Sequence, residues 1–161
     1  MNRITRQAGW AYGLAALVIV IDQAAKAWIL GLGLRMYETR PVAGILQFTL
    51  VPNSGVSYGL FQANHAAVRW LLVVFSLVVA AMIVWWARRA DRTLQALGFG
   101  LIAGGAVGNA IDRARLGWVV DFIDVQRIGF FPWVFNVADS AITVGVIALL
   151  IDSLRRDSAT S

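Results

Sequence analysis

The sequence predicts an α-helical integral membrane protein with four transmembrane helices and a small extracytoplasmic β-cradle between the first two spans. Of the 161 residues, 59% are hydrophobic, above the roughly 45–50% apolar share of soluble domains, and the mean hydropathy is +0.69. The net charge is +5, and the basic residues flank apolar runs. That placement indicates membrane topology rather than nucleic-acid binding.

Two of the four predicted spans are uninterrupted apolar runs. Residues 70–87 and 93–111 carry no charge, and each run approaches the ~20 residues that a helix needs to cross a ~30 Å hydrocarbon core. Residues 10–34 and 131–151 are long enough but contain polar side chains. We therefore expect one membrane-embedded domain over residues 1–161, with spans at about 10–32, 67–87, 94–113 and 133–152.

The first span has an alternative interpretation as a cleaved signal peptide. Arg3 and Arg6 precede an apolar stretch, and "AKA" at 25–27 loosely fits a cleavage site. The apolar run continues past that site as "WILGLGL", which favours a retained span.

Arginine placement predicts the orientation. With four spans, seven arginines share one side, which should be the cytoplasm: Arg3, Arg6, Arg88, Arg89, Arg92, Arg155 and Arg156. The opposite side receives Arg35, Arg40, Arg115 and Arg127 in longer loops. Both termini are therefore expected to be cytoplasmic.

The segment between the first two spans has a strand pattern. In "ILQFTLV", Leu46, Phe48 and Leu50 alternate with Gln47 and Thr49, which predicts a strand with one apolar face. The following "VPNSGVSYG" has a turn composition.

Polar residues inside the spans are the candidates for chemistry, because ionisable groups at membrane depth are costly and need a partner or a function. Asp22 and Lys26 are four residues apart on one helix face, where they can pair. In "GGAVGNAIDR", Gly104 and Gly108 have the spacing that lets another helix approach closely. Asn109 in that motif is a buried amide that needs hydrogen-bond partners.

Two further acids lie near the outer leaflet. Asp121 follows the third span, and Asp139 is expected about six residues into the fourth, ~9 Å of helix rise from its outer end. Two close carboxylates can share a proton and activate water for peptide hydrolysis. Asp124 competes with Asp121 for this role, and Asp139 has a plainer interpretation as a helix cap.

Other chemistries fit less well. The chain has no cysteine and one histidine, so we expect no thiol chemistry, no metal site and no cofactor. A nucleophilic role for Ser54, Ser57 or Ser140 with His65 lacks an accompanying oxyanion motif. A proton-coupled transporter would need polar residues in both leaflets, and a scaffold protein would need the aspartates only as caps.

Five blocks together resemble the lipoprotein signal peptidases (signal peptidase II), bacterial inner-membrane aspartic proteases. They are "DQAAK" at 22–26, "NSGVSYGLF" at 53–61, "GGAVGNAIDR" at 104–113, "VVDFID" at 119–124 and "FNVADSAI" at 135–142. The order and spacing are those of the family. The one departure is Val56 and Ser57, where the family has small alanines.

The resemblance implies that Asp121 and Asp139 form the catalytic dyad. It assigns Asn53, Asn109, Arg113 and Asn136 to the polar surroundings that hold substrate or dyad, and Asp22 and Lys26 to a supporting network. It also implies removal of signal peptides from prolipoproteins, just before a diacylglyceryl-modified cysteine. We expect the protein to be a monomer that contacts membrane lipids and uses no cofactor.

Overall fold

The protein is a bundle of four long helices with a small sheet at one end. The computed structural model describes residues 5–55, 65–125, 129 and 133–158. The helices are α1 (Arg6–Gly31), α2 (His65–Ala87), α3 (Thr93–Leu116) and α4 (Val137–Ser158). All four are long and apolar enough to cross a membrane, so the predicted fold class is confirmed. Helix α1 is unbroken through residues 25–27.

Helix α3 is the central element, because it packs against each of the other three helices while α1 and α2 barely touch. Glycines on two of its faces permit this. A Cβ on Gly100 or Gly104 would lie within 2.7 Å of a backbone oxygen of α1. A Cβ on Gly105 would lie 2.4 Å from the Ala138 carbonyl oxygen of α4. The close approach expected of Gly104 and Gly108 is therefore confirmed, and other small residues extend it to α4.

The sheet has four antiparallel strands in the order β1 (Thr39–Ala43), β2 (Leu46–Asn53), β3 (Val119–Asp124) and β4 (Val134–Phe135). Strands β1 and β2 come from the segment between the first two spans, and β3 and β4 come from the segment between the third and fourth. Strand β3 begins directly after α3, whose end is marked by Gly117 in the left-handed conformation at φ 89°. The sheet therefore ties the two inter-span segments together.

Two boundaries differ from the prediction in ways that matter for the site. Asp121 was expected in a loop and lies in strand β3, paired with Val51 of β2. Helix α4 begins at Val137 rather than near residue 133, because residues 134–135 are used as a strand. Asp139 is consequently in the first turn of α4 and not about six residues inside it.

Candidate active site

The first turn of α4 places Asp139 through a reciprocal capping arrangement with Asn136. The Asp139 backbone N–H donates to Asn136 Oδ1 at 2.9 Å, and the Asn136 backbone N–H donates to Asp139 Oδ2 at 3.2 Å. This is the geometry of a capping box, here with Asn and Asp in the two positions. The capping interpretation of Asp139 is thus correct. The cap uses only Oδ2 of the carboxylate, so Asp139 Oδ1 can make other contacts.

Asp121 faces the same site from strand β3. Its Oδ2 accepts a hydrogen bond from Asn53 Nδ2 at 2.9 Å, and its Oδ1 accepts one from Asn136 Nδ2 at 2.7 Å. The side chain is 2% exposed. The pKa of Asp121 is raised to about 6, because burial and the charge of Asp139 raise it by more than the hydrogen bonds from Asn53 and Asn136 lower it.

Two asparagines connect the aspartates. Asn136 contacts both of them, and Asn109 donates from Nδ2 to Asp139 Oδ1 at 2.8 Å. Asn136 Nδ2 also lies 3.2 Å from Asn109 Oδ1, which closes the network. The structure therefore brings together five predicted side chains from four elements. They are Asn53 of β2, Asp121 of β3, Asn109 of α3, and Asn136 and Asp139 at the start of α4.

Arg113 lies at the edge of this group. A Cβ on Gly55 would be 3.4 Å from Arg113 Nη2, so the guanidinium faces the turn that follows Asn53. Among the described residues, Arg113 Nε is buried and has no hydrogen-bond partner. The charges of Asp121 and Asp139 act on this arginine, although neither forms an ion pair with it.

Behind the aspartates lies a buried charged cluster. The expected pair forms: Lys26 Nζ is 2.8 Å from Asp22 Oδ2, and both side chains are almost fully buried. The sequence interpretation missed Asp112, whose Oδ2 is also 2.8 Å from Lys26 Nζ. It also missed Gln23, whose Nε2 donates to Asp112 Oδ1 at 2.9 Å. The available signal was the i, i+3 spacing of Asn109 and Asp112, which puts both on one face of α3, where both contact Lys26.

Asp124, the alternative to Asp121 as a catalytic residue, lies outside this hydrogen-bond network. Its Oδ2 accepts hydrogen bonds from Thr49 Oγ1 at 2.5 Å and from Gln47 Nε2 at 2.9 Å. Both donors belong to β2, so Asp124 joins two strands of the sheet. It is buried at 2% exposure and contacts neither Asp121 nor Asp139 in any of these bonds.

A cavity of about 260 Å³ opens beside Asp139. It is lined by Phe135, Asp139, Ser140, Thr143 and Val144. The hydroxyls of Ser140 and Thr143 donate to carbonyl oxygens of their own helix, at 2.9 Å each, which leaves a mainly apolar wall. The cavity can accept an apolar chain next to a carboxylate. Of the other two serine candidates, Ser54 is exposed and Ser57 lies outside the described residues.

The opposite end of the bundle has a different character. There, the described parts of α1, α2 and α3 form an apolar core that includes Ala11, Ile83, Phe99 and Ile102. A polar path through both leaflets is absent from this described core, which argues against the transporter interpretation.

Comparisons with known proteins agree with this geometry. The family described as Signal peptidase (SPase) II matches residues 14–155. A lipoprotein signal peptidase of Caulobacter vibrioides is 51% identical over 152 residues, covering 93% of this chain and 89% of that protein. One of Methylorubrum extorquens is 47% identical over 146 residues, covering 89% of this chain and 85% of that protein. Two solved structures of a bacterial membrane enzyme are 27% identical to this chain, with TM-scores of 0.79 and 0.80. The two matches cover 95% and 96% of this chain, and 92% and 97% of the respective solved chains.

Proposed function

The chain belongs to the signal peptidase II family of membrane proteases, and from that membership we propose that it removes signal peptides from diacylglyceryl-modified prolipoproteins. The cut falls just before the lipid-modified cysteine. The reaction is aspartic proteolysis, with Asp121 and Asp139 as the catalytic dyad. The observation that carries this proposal is the pair of carboxylates that both accept hydrogen bonds from Asn136, beside an apolar cavity: the Asn136 side chain donates to Asp121 and its backbone N–H donates to Asp139.

The two aspartates take different roles. Asp121 is the partner that holds the proton, because burial raises its pKa to about 6 and it therefore binds a proton more readily than an ordinary aspartate. Asp139 is the ionised partner, and two N–H groups, from Asn109 and the Asn136 backbone, donate to its oxygens. Its place in the first turn of α4 also puts its negative charge at the positive end of the helix dipole.

Peptide hydrolysis follows from these roles. Asp139 accepts a proton from a water molecule while the water oxygen adds to the scissile carbonyl carbon. Asp121 gives its proton to the carbonyl oxygen, so no free oxyanion forms. The carbon–nitrogen bond then breaks, the nitrogen takes the proton held by Asp139, and the hydroxyl proton returns to Asp121. The products are the carboxylic acid of the signal peptide and the free amine of the lipidated cysteine, and both dyad residues return to their starting protonation states.

The surrounding amides and Arg113 position the substrate and the dyad. Asn53 lies between Asp121 and the Gly55 turn, because its Oδ1 accepts the Gly55 N–H at 2.8 Å. Arg113 faces that turn and brings positive charge near both carboxylates. These groups are suited to a peptide backbone, while the apolar cavity is suited to a hydrocarbon or an apolar side chain.

The membrane delivers the substrate. A lipid-modified prolipoprotein partitions into the bilayer, and a site at one end of the bundle meets it without extracting it. We place the protein in the bacterial inner membrane as a monomer that contacts membrane lipids, with the dyad near the outer leaflet. Four crossings put both termini on one side, and the arginine bias assigns that side to the cytoplasm.

The test is cleavage of a diacylglyceryl-modified prolipoprotein by the purified protein in detergent. Asp121→Asn and Asp139→Asn are each expected to fold and to lose cleavage. Asp124→Asn is the matched control, because Asp124 is an equally buried carboxylate in the strand of Asp121 but bonds to the sheet. Near wild-type cleavage by either folded dyad variant would overturn the assignment, and loss of cleavage in the Asp124 variant alone would transfer it to Asp124.

A further inference from the structure

Resting on the proposed dyad, we propose that Asp22, Lys26 and Asp112 form a buried clamp that fixes the backbone carrying each catalytic aspartate. In this arrangement each clamp carboxylate bonds the residue that immediately precedes one catalytic aspartate. Lys26 joins the two carboxylates and therefore sets the separation of the dyad. The three residues are positioning residues and touch no reacting atom.

The Asp139 side of the clamp comes from helix α1. Asp22 Oδ1 accepts the backbone N–H of Ala138 at 2.9 Å. Ala138 directly precedes Asp139 and is fully buried, as is Asp22. N–H groups in the first turn of a helix have no partner within the helix, so Asp22 satisfies one of them and anchors the start of α4 to α1.

The Asp121 side comes from helix α3. Asp112 Oδ2 accepts the backbone N–H of Val120 at 3.1 Å. Val120 directly precedes Asp121 and is fully buried. The same relation between a buried carboxylate and the preceding residue therefore occurs at both catalytic aspartates, from two different helices.

Lys26 connects the two sides. Its Nζ lies 2.8 Å from an oxygen of Asp22 and 2.8 Å from an oxygen of Asp112. Its third contact is Asn109 Oδ1, at 3.0 Å. Because an ammonium only donates, this contact turns the amide so that Asn109 Nδ2 faces Asp139. Lys26 thus also orients a direct partner of the dyad.

Carboxylates are needed because each clamp position accepts several donors. Asp112 accepts from Lys26, the Val120 N–H and Gln23 Nε2. The Gln23 amide also lies 3.2 Å from Asp22 Oδ2, so it contacts both carboxylates. A neutral amide offers one acceptor oxygen and cannot satisfy the same set.

The test compares Asp112→Leu with Asp112→Asn in the purified full-length protein, using cleavage of a diacylglyceryl-modified prolipoprotein. The leucine variant removes the acceptor for the Val120 N–H, whereas the asparagine variant keeps one oxygen. In the folded enzyme we expect kcat to fall about 100-fold with leucine and less than about tenfold with asparagine, with KM within about threefold, because misplacing a reacting group by ~1 Å costs about 100-fold. Thr49→Val is the matched control, since it removes a buried hydrogen bond of the sheet.

A second readout separates positioning from stability. Lys26 faces Asp121 from α1, as do Arg113 from α3 and Asp139 from α4. Because the Lys26 charge lowers the pKa of Asp121, Lys26→Met is expected to move the alkaline limb of kcat/KM to higher pH. Thr49→Val is expected to leave the limb in place.

The clamp is refuted if Asp112→Leu retains kcat within about threefold of wild type, or if leucine and asparagine lower kcat equally. If Asp112→Leu does not fold, the triple variant Asp22→Asn, Lys26→Met, Asp112→Asn decides when compared with Asp112→Asn, since it leaves no buried charge in the cluster while removing the connecting ammonium. A further kcat loss of at least about tenfold supports the clamp, and an unchanged kcat refutes it. Cleavage by Asp121→Asn would instead refute the dyad itself.

Discussion

Replacing Gly108 by alanine probes how closely helix α3 must approach the carboxylate of Asp22. A Cβ at this position would lie 2.6 Å from Asp22 Oδ2, whereas ordinary contacts begin at 3.4 Å. The carboxylate would therefore have to move by about 0.8 Å. Asp22 cannot move freely, because Lys26 contacts one of its oxygens at 2.8 Å and the Ala138 N–H contacts the other at 2.9 Å. A shift of that size breaks at least one of these bonds.

The expected cost combines two effects. Overpacking a buried contact costs about 1–3 kcal/mol, and a lost hydrogen bond to a charged group costs about 1.5–3 kcal/mol. We expect the free energy of unfolding to fall by about 3 kcal/mol, which corresponds to a thermal midpoint about 6–12 °C lower for a chain of this size. Cleavage by the folded enzyme should also slow, because the displaced carboxylate is bonded to the residue before Asp139.

Thermal unfolding in detergent, followed by cleavage measured well below the midpoint, checks both effects. Gly13→Ala is the matched control, since a Cβ at Gly13 of α1 meets nothing within 4 Å. That variant is expected to be as stable as wild type or slightly more stable, because alanine favours helix over glycine. If Gly108→Ala unfolds within about 0.5 kcal/mol of wild type, the contact between Gly108 and Asp22 is not as restrictive as the distances indicate.

Four further predictions concern the proposed dyad and the opposite end of the bundle. Because Asp121 loses its proton with a pKa of about 6 when folded but near 3.8 when unfolded, stability should fall as pH rises through this window, and kcat/KM should decline above it. Asn53→Ala removes a hydrogen bond that lowers this pKa, so a pH-rate profile should show the alkaline limb at higher pH, and an unmoved limb would contradict the assignment. Asn136→Ala removes the side chain that contacts both aspartates, and steady-state kinetics should show kcat reduced by about 100-fold, whereas a loss confined to KM would indicate substrate binding alone. Arg92 and Asp152 lie 3.6 Å apart, and the arginine side chain is 42% exposed, so solvent screens the pair. Arg92→Ala should therefore lower the free energy of unfolding by less than about 1 kcal/mol in thermal unfolding, and a larger loss would show that the pair is not screened.

Features set by neighbouring residues in the chain could be predicted from the sequence. The four helices follow from uncharged or nearly uncharged runs. The pairing of Asp22 with Lys26 follows from their spacing on one helix face, and the close helix packing follows from Gly104 and Gly108. The acids near one leaflet indicated where chemistry should be sought. Each of these inferences uses a period or a spacing of a few residues.

Features that depend on distant pairing could not be predicted in the same way. In β3, Val119, Val120 and Phe122 are all buried, so the strand lacks the alternation that identified β2. The choice between Asp121 and Asp124 depends on which residue of β2 each one meets, and that register is set 68 to 77 residues away. The residues alone left this choice open, and only the family resemblance favoured Asp121.

The start of α4 shows a local signal that was present but not used. Asn136 and Asp139 are three residues apart, the spacing of a capping box, and this spacing places the helix start at Val137. The hydropathy pattern assigned the apolar residues before Asn136 to the helix, and this assignment placed Asp139 too far inside α4. A polar pair at this spacing is a better indicator of a helix start than hydropathy.

The central position of α3 has a consequence for biosynthesis. Helices α1 and α2 precede α3 in the chain and barely contact each other, so they enter the bilayer before their main packing partner has been synthesised. During that interval α1 carries Asp22 and Lys26 into lipid without Asp112. The i, i+4 ion pair, at 2.8 Å, forms within α1 alone and neutralises both charges. We therefore expect α1 to insert stably on its own as an internally neutralised helix, and the arrival of α3 to complete both the bundle and the cluster behind the dyad.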